Sequence, residues 1–295
     1  MTILKIILLA IVQGLAELLP VSSSAHVVVA EKLMGIDPTT PQMTLLLVML
    51  HTGTMFAVIV YFWKVWMRTY FESTAAFMRF FWKAVWATFL TGIVGEALKV
   101  LIEKTYFRNA PKAQIEMLFG KLEIIAPALF AVGVMILIAG LAEHKKERDG
   151  TKPPEGTPLQ MGHAGWMGVV QGLALPFRGF SRSGSTISAG MLLGAAKDSS
   201  ERFSFALAVI LTPVVDAMEM RRLLKAAHAA GATGGPIDLH GAIGASLLGM
   251  VFSFLAGLLA LKWLSSWLEK GRWHWFGIYC LVASCVVFYL HAHGF

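Results

Sequence analysis

The sequence predicts an all-α integral membrane protein, built as an inverted-topology repeat with about six transmembrane helices and two re-entrant helical hairpins. Of its 295 residues, 56% are hydrophobic and only 15% are charged. Because soluble domains carry about 25% charged residues, this composition excludes a soluble globular protein. The other two observations are a set of long apolar stretches and a motif that occurs twice, each time in an apolar stretch that polar residues interrupt.

Six apolar stretches are long enough to cross a bilayer. The net charge of the chain is +7, and its basic residues are clustered between these stretches. Basic segments in such positions orient membrane helices and contact anionic headgroups, so we expect the bilayer as a partner and no nucleic acid. The predicted spans cover residues 42–63, 81–102, 120–142, 203–220, 240–262 and 274–293.

Two further apolar stretches, residues 3–34 and 163–196, are interrupted by polar segments at 19–24 and 176–184. The first alone has features of a secretory signal. The second argues against that interpretation, because the four residues that begin at Gln13 (Gln-Gly-Leu-Ala) recur at Gln171, 158 positions later (171 minus 13). We therefore interpret both stretches as re-entrant hairpins.

This repeat divides the chain into two halves. The first, residues 1–142, comprises a hairpin at 1–36 and three spans; the second, residues 163–295, comprises a hairpin at 163–196 and three spans, and residues 143–162 form the connecting loop. Because three is an odd number, the second half enters the membrane from the opposite side. In folds of this kind, paired interrupted segments mark the binding site near the bilayer midplane.

Polar residues at the first interruption share one region of space. Gln13 and Glu17 are four positions apart and so lie on one helix face. A carboxylate in an apolar helix is costly without a partner, which makes Glu17 a candidate functional residue. Pro20 ends the helix, the serines at 22–24 are suited to capping the next one, and His26 falls one turn into it.

The second interruption has the composition of an anion site. Arg182 lies just before a predicted helix, where backbone N–H groups and nearby hydroxyls favour an anion. Its planar guanidinium suits phosphate oxygens, and Gly179 and Gly184 allow the backbone to approach closely. The candidate phosphate-binding residues are Ser22, Ser181, Arg182, Ser183, Gly184, Thr186 and Arg178.

Other polar residues in the spans are less specific. His51 either lines the same cavity or forms a hydrogen bond between helices, and Ser204 is placed to add a hydroxyl. The sequence contains no nucleotide-binding P-loop motif, no HExxH motif and no CxxC pair, which argues against nucleotide-driven chemistry and a zinc site.

At these residues the sequence resembles the undecaprenyl-diphosphate phosphatase family of the bacitracin-resistance type. The matching segments are residues 13–26, 179–186 and 201–205, and the resemblance extends over essentially the whole chain. It implies a bacterial inner-membrane enzyme, with an active site facing the periplasm, that removes the terminal phosphate of a C55 polyprenyl diphosphate. Such an enzyme recycles the lipid carrier for peptidoglycan synthesis, confers bacitracin resistance and requires a divalent cation.

The resemblance also implies the functional positions Glu17, Ser23, His26, Ser181, Arg182 and Thr186. In our interpretation Arg182 holds the terminal phosphate, and Glu17, assisted by Gln13, holds Mg²⁺ or Ca²⁺, because hard cations favour oxygen ligands. Ser23 is then the nucleophile, with His26 as its base or as acid to the leaving group. In a competing version, His26 activates water and Ser23 only contacts phosphate.

Two departures from the family pattern are present. Many members have a glutamate where this chain has Gln13, and proline where it has Arg178. A second hypothesis for the chain is a transporter of polyprenyl phosphate or another anion, since inverted repeats with broken hairpins are typical of transporters. The distribution of Lys and Arg slightly favours both termini outside the cell, and a homodimer is compatible with the sequence.

Overall fold

The computed structural model describes residues 2–37, 40–106, 118–231 and 239–294, and within these ranges the chain is helical, without a β-strand. The ten helices are α1 (Ile3–Leu18), α2 (Ser23–Leu33), α3 (Pro41–Thr69), α4 (Thr74–Thr105), α5 (Leu122–Arg148), α6 (Met161–Ala174), α7 (Arg182–Leu192), α8 (Lys197–Gly231), α9 (Leu239–Glu269) and α10 (Trp273–Ala292).

Six of the described helices are long and apolar enough to cross a membrane, which confirms the six predicted spans. They are Gln42–Thr69, Thr74–Thr105, Leu122–Arg148, Lys197–Arg221, Ala242–Leu268 and Trp273–Ala292. The connecting loop was predicted to begin at residue 143, but α5 continues to Arg148 and α6 begins at Met161. The polar residues at 143–148 extend the helix beyond its apolar part, where hydropathy no longer marks it.

The four short helices form two helix–turn–helix pairs, α1 with α2 and α6 with α7. The longest of them, α1, has 16 residues, about 24 Å at 1.5 Å per residue, which is less than the ~30 Å of a bilayer core. The predicted interruptions are therefore the positions where these helices end. The re-entrant and inverted arrangement, and the division into two halves, stay predictions.

The first helix of each pair packs against a long helix from the other half of the chain: α1 against α9, and α6 against α4. The repeated motif makes these contacts close. A Cβ at Gly14 would lie 2.6 Å from the carbonyl oxygen of Ser253, and one at Gly172 would lie 2.8 Å from that of Thr91. Glycine is thus required at both positions, because a side chain would collide with the facing backbone.

The principal core lies between the long helices and the two pairs, around the buried rings of Phe62, Phe205 and Trp273. Many large apolar side chains face outwards from the spans, as lipid contact requires. Much of the basic cluster at 104–112, which bears on membrane orientation, lies outside the described residues. Orientation and a homodimer stay predictions.

Candidate active site

The two interruptions meet each other. Arg182 is the first residue of α7, and its Nη2 atom lies 2.5 Å from Oε1 of Glu17, in the last turn of α1. The hydroxyl of Ser183 donates to the carbonyl of Leu19 at 3.5 Å, so backbone and side chains of the two turns are in contact. The sequence predicted one site from two motifs, and the structure brings both motifs together.

Four side chains surround the Glu17 carboxylate. Besides Arg182, its Oε2 atom accepts hydrogen bonds from Gln13 Nε2 at 3.1 Å and from the hydroxyl of Ser23. His51 Nε2 lies 3.9 Å from the same oxygen, while its Nδ1 atom donates to a backbone carbonyl of α3. His51 therefore faces the site. The carboxylate is only 13% exposed, and these partners offset the cost of keeping it charged in an apolar helix.

Serines begin both of the returning helices. Ser22 is the N-cap of α2 and accepts from the backbone N–H of Ala25, and Ser181 is the N-cap of α7 and accepts from that of Gly184. Ser22 and Ser181 therefore have the same place in the two helix pairs. Ser22 has φ +69°, the one positive φ among the described non-glycine residues, which indicates backbone strain at the turn.

The N-terminus of α7 has the character of an anion site, although some of its hydroxyls are already used. Ser185 and Thr186 donate to the carbonyl of Arg182 at 3.1 and 2.8 Å, and Thr186 also forms a 2.6 Å hydrogen bond with Ser204. Thr186 is fully buried. Its hydroxyl therefore fixes the residue that carries the guanidinium and joins α7 to α8, and Ser204 enters the site region as predicted.

His26 forms hydrogen bonds through both of its ring nitrogens. Its Nδ1 atom lies 2.7 Å from the carbonyl oxygen of Ser22, and its Nε2 atom lies 2.6 Å from the hydroxyl of Tyr279 in α10. Ser23 instead donates to Glu17. Ser23 and His26 are therefore not hydrogen-bonded to each other in this structure, and their predicted roles as nucleophile and base stay predictions. Tyr279 was missed because it lies 253 positions from His26, in a span whose local sequence carries no polar motif.

Arg178 occupies a separate environment. Its guanidinium lies over the ring of Phe119, 4.5 Å from the centroid, and it interacts electrostatically with Glu31 and Glu219. Glu31 is only 3% exposed. Arg178 thus lies over Phe119 and in the field of these two carboxylates, whereas Glu17 is paired with Arg182. Gly179 follows with φ +107°, and a Cβ there would lie 2.5 Å from a carbonyl oxygen of α5, so the absence of a side chain lets the turn pack against that helix.

The side chains at Glu17 could supply only part of the oxygen ligands that a hard cation needs. Among the described residues there is no group of three or more His, Cys, Asp or Glu side chains placed to hold a metal. Mg²⁺ is commonly held by one or two carboxylates, with water and substrate phosphates completing its shell. Glu17 can supply a carboxylate to that kind of site, beside the guanidinium of Arg182, whereas the Gln13 amide, whose Nε2 donates to Glu17 here, would have to turn to offer its oxygen.

A cavity of about 260 Å³ lies elsewhere, between the end of α5 and the start of α8. Its wall contains an ion pair with Lys197 Nζ 2.6 Å from Glu143 Oε1, and Glu201, which accepts from Ser265 at 3.3 Å. None of the residues at the Glu17–Arg182 pair lines this cavity. The charged side chains of this cavity pair with one another and link helix ends. We therefore place the active site at Glu17 and Arg182, and not in this cavity.

The chain is similar to known proteins over nearly its whole length. The family described as bacitracin resistance protein BacA matches residues 6–286. An undecaprenyl-diphosphatase 2 from Acinetobacter baylyi is 52% identical over 97% of both chains. Proteins named undecaprenyl-diphosphatase from Desulfatibacillum aliphaticivorans (35% identical, over 96% of this chain and 97% of that one) and Rhodopirellula baltica (30%, over 98% of each) are also similar. This chain belongs to the BacA family.

Proposed function

We propose that this chain hydrolyses undecaprenyl diphosphate to undecaprenyl phosphate and inorganic phosphate. The observation that carries the proposal is the contact between Arg182, Glu17 and Ser23, which sets a phosphate-binding cation, a buried carboxylate and a hydroxyl together where two half-length helix pairs meet. The relatives are named as diphosphatases. Transport of a polyprenyl phosphate is not favoured.

Arg182 and the N-terminus of α7 would receive the terminal phosphate. The guanidinium offers several N–H donors in a fixed plane, and it donates to Glu17 through Nη2, which leaves donors for phosphate oxygens. The backbone N–H groups of the first turn of α7 add partial positive charge. Ser22, Ser181 and Ser183 are caps or neighbours that shape this cradle.

A divalent cation, Mg²⁺ or Ca²⁺, would be held by Glu17 and Gln13 together with diphosphate oxygens. When bound, it would neutralise the negative charge of the diphosphate. A phosphate group is also what allows Arg182 and a cation to share the neighbourhood of one carboxylate, because the substrate supplies the additional negative charge. The pairing of Glu17 with Arg182 in the free protein keeps both charges compensated until then.

The reaction we propose has two steps. The Ser23 oxygen attacks the terminal phosphorus, the bond to the bridging oxygen breaks, and undecaprenyl phosphate leaves while the Ser23 proton passes to Glu17, to which it is already bonded. Such transfers have loose transition states, so a weak base suffices. Water then attacks the phosphoserine, and its proton passes to Nε2 of His26. The bond to the Ser23 oxygen breaks, phosphate leaves, Ser23 recovers its proton from Glu17, and His26 releases its proton to solvent.

We further propose that the enzyme lies in the bacterial inner membrane with this site open to the periplasm. The six candidate spans and the outward-facing apolar side chains accord with a multi-pass protein whose substrate tail lies in lipid. Hydrolysis there would recycle the carrier lipid for peptidoglycan synthesis and confer resistance to bacitracin. Peptide reporters or cysteine labelling at loops on either side of the site would test the orientation.

The proposal is tested by phosphate release from undecaprenyl diphosphate in detergent micelles, where no compartments exist and transport cannot be scored. We expect release by the purified protein that is abolished by a chelator and restored by Mg²⁺ or Ca²⁺. A folded protein that releases no phosphate under these conditions would contradict the proposed activity, whereas release that a chelator does not affect would contradict only the proposed cation.

A further inference from the structure

Tyr279 lies at the exposed edge of the site and contacts His26. Its hydroxyl is 2.6 Å from His26 Nε2, and the two rings are nearly parallel, with an interplanar angle of 12° and centroids 5.7 Å apart. Tyr279 belongs to α10, which otherwise contributes packing to the core. Its side chain is thus the polar contribution of the last helix to the site.

The hydrogen bonds of His26 determine which nitrogen carries the proton. A backbone carbonyl only accepts, so Nδ1, 2.7 Å from the Ser22 carbonyl oxygen, must be a donor. In neutral imidazole the other nitrogen, Nε2, then has a lone pair, and the Tyr279 hydroxyl donates to it. The ring is held from both sides, and Nε2, whose single lone pair accepts from the Tyr279 hydroxyl, is the nitrogen that can be protonated.

The hydroxyl of Tyr279 also suits the protonated ring. Once Nε2 carries a proton, it becomes a donor, and the phenolic oxygen has lone pairs to accept from it. A hydroxyl is therefore compatible with both protonation states, without rotation of the imidazole or loss of the Ser22 contact. A phenylalanine ring would fill similar space, but it would leave Nε2 without this partner and the ring orientation fixed from one side only.

We infer that Tyr279 positions His26 for the hydrolysis: its hydroxyl fixes the tautomer and orientation of the ring, and it gives its own proton to Nε2 while it takes one from the attacking water. This inference rests on the proposed role of His26. It differs from a substrate-binding role, because Tyr279 would act through His26 and would not contact the diphosphate.

The test is a double-mutant cycle in full-length protein with undecaprenyl diphosphate, comparing Tyr279→Phe, His26→Gln and the double variant. Because small displacements of a catalytic group cost about tenfold to a hundredfold in rate, we expect Tyr279→Phe to lower kcat by that amount with KM unchanged. In the His26→Gln background the same change should have no further effect, since residues that act through each other are not additive. Tyr289→Phe, an exposed tyrosine on the same helix, is the matched control and should keep full activity.

The other possible results of this cycle contradict either the role of Tyr279 or that of His26. Full activity of Tyr279→Phe alongside an inactive His26→Gln would contradict the positioning role and leave the role of His26 intact. A raised KM with additive losses would assign Tyr279 to substrate contact instead. Full activity of His26→Gln would contradict the proposed role of His26 itself, so the two failures are distinguishable. Thermal melting of each variant in detergent separates these effects from misfolding.

Discussion

The guanidinium of Arg182 and the carboxylate of Glu17 are 2.5 Å apart, although 165 positions separate them in the chain. Neither residue has a local partner of opposite charge in its own turn, so each interruption compensates the buried charge of the other. The pair therefore links the folding of the two turns to the formation of the site.

Replacing Arg182 should abolish most activity. Removal of one group that stabilises transition-state charge costs about 10²- to 10³-fold in kcat, so we expect Arg182→Ala to fall in that range and Arg182→Lys, which keeps charge without the planar fork, to lose less. Phosphate release measures both. Arg148→Ala, at a side chain 76% exposed, is the control. Near-normal turnover of Arg182→Ala would mean that the phosphate site is assigned wrongly.

Ser23 and Ser24 offer a matched pair for the nucleophile. Ser23 donates to Glu17, whereas the Ser24 hydroxyl forms a 3.4 Å hydrogen bond with the Ser22 hydroxyl. We expect Ser23→Ala to lose about 10³-fold or more in kcat, and Ser24→Ala to stay close to the wild type. Quenching a reaction with labelled substrate should trap a phosphoserine at position 23. Full activity of Ser23→Ala, without a trapped intermediate in the wild type, would favour direct attack by water.

The cation requirement should depend on position 13. Gln13→Glu adds a second carboxylate next to Glu17, so the Mg²⁺ concentration for half-maximal activity should fall, while Gln13→Leu should raise it. Gln171→Glu is the control, because Gln171 has the same place in the repeated motif but bonds to Thr91, in α4. Equal Mg²⁺ dependence in all three variants would show that residue 13 is not a ligand.

Strain at Ser22 predicts an unusual stabilising substitution. The residue has φ +69°, which costs a non-glycine residue about 1–2 kcal/mol, whereas glycine at an N-cap costs only a few tenths of a kcal/mol. Ser22→Gly should therefore raise the melting temperature in detergent, and Ser22→Ala, which loses the cap without relieving strain, should lower it. Equal destabilisation by both changes would indicate that the cap outweighs the strain.

The ion pair at the other cavity should matter for stability and not for chemistry. Lys197 and Glu143 are 11% and 9% exposed, and removal of one partner from a buried pair costs about 3–5 kcal/mol. Lys197→Met should lower the melting temperature but leave kcat of the folded protein unchanged, and the double change Lys197→Met with Glu143→Met should recover much of the stability. A large loss of kcat in folded Lys197→Met would connect that cavity to catalysis.

Most of the fold could be predicted from the sequence, because each span is marked by its own hydropathy and each interruption by proline and serine within a few residues. The meeting of Glu17 with Arg182 followed from the motif that begins at Gln13 and recurs at Gln171. These signals are local or repeated, so one sequence is enough to detect them.

The side-chain partners within the site could not be predicted in the same way. Glu17, Ser23 and His26 lie within ten residues, but whether Ser23 bonds to the carboxylate or to the imidazole depends on side-chain rotamers that spacing does not determine. Tyr279 approaches His26 only because α10 packs beside the first turn, a contact across nearly the whole chain. The extension of α5 to Arg148 was missed because polar residues carry no span signal.

Because α1 packs on α9 and α6 packs on α4, the first helix of each pair fills a groove on a long helix from the other part of the chain. Two separately synthesised fragments, cut within residues 149–160, would each present a long helix with an empty backbone-lined groove at Thr91 or Ser253. Neither fragment contains the helix that fills its own groove. Each fragment could therefore complete its packing only by assembling with the other.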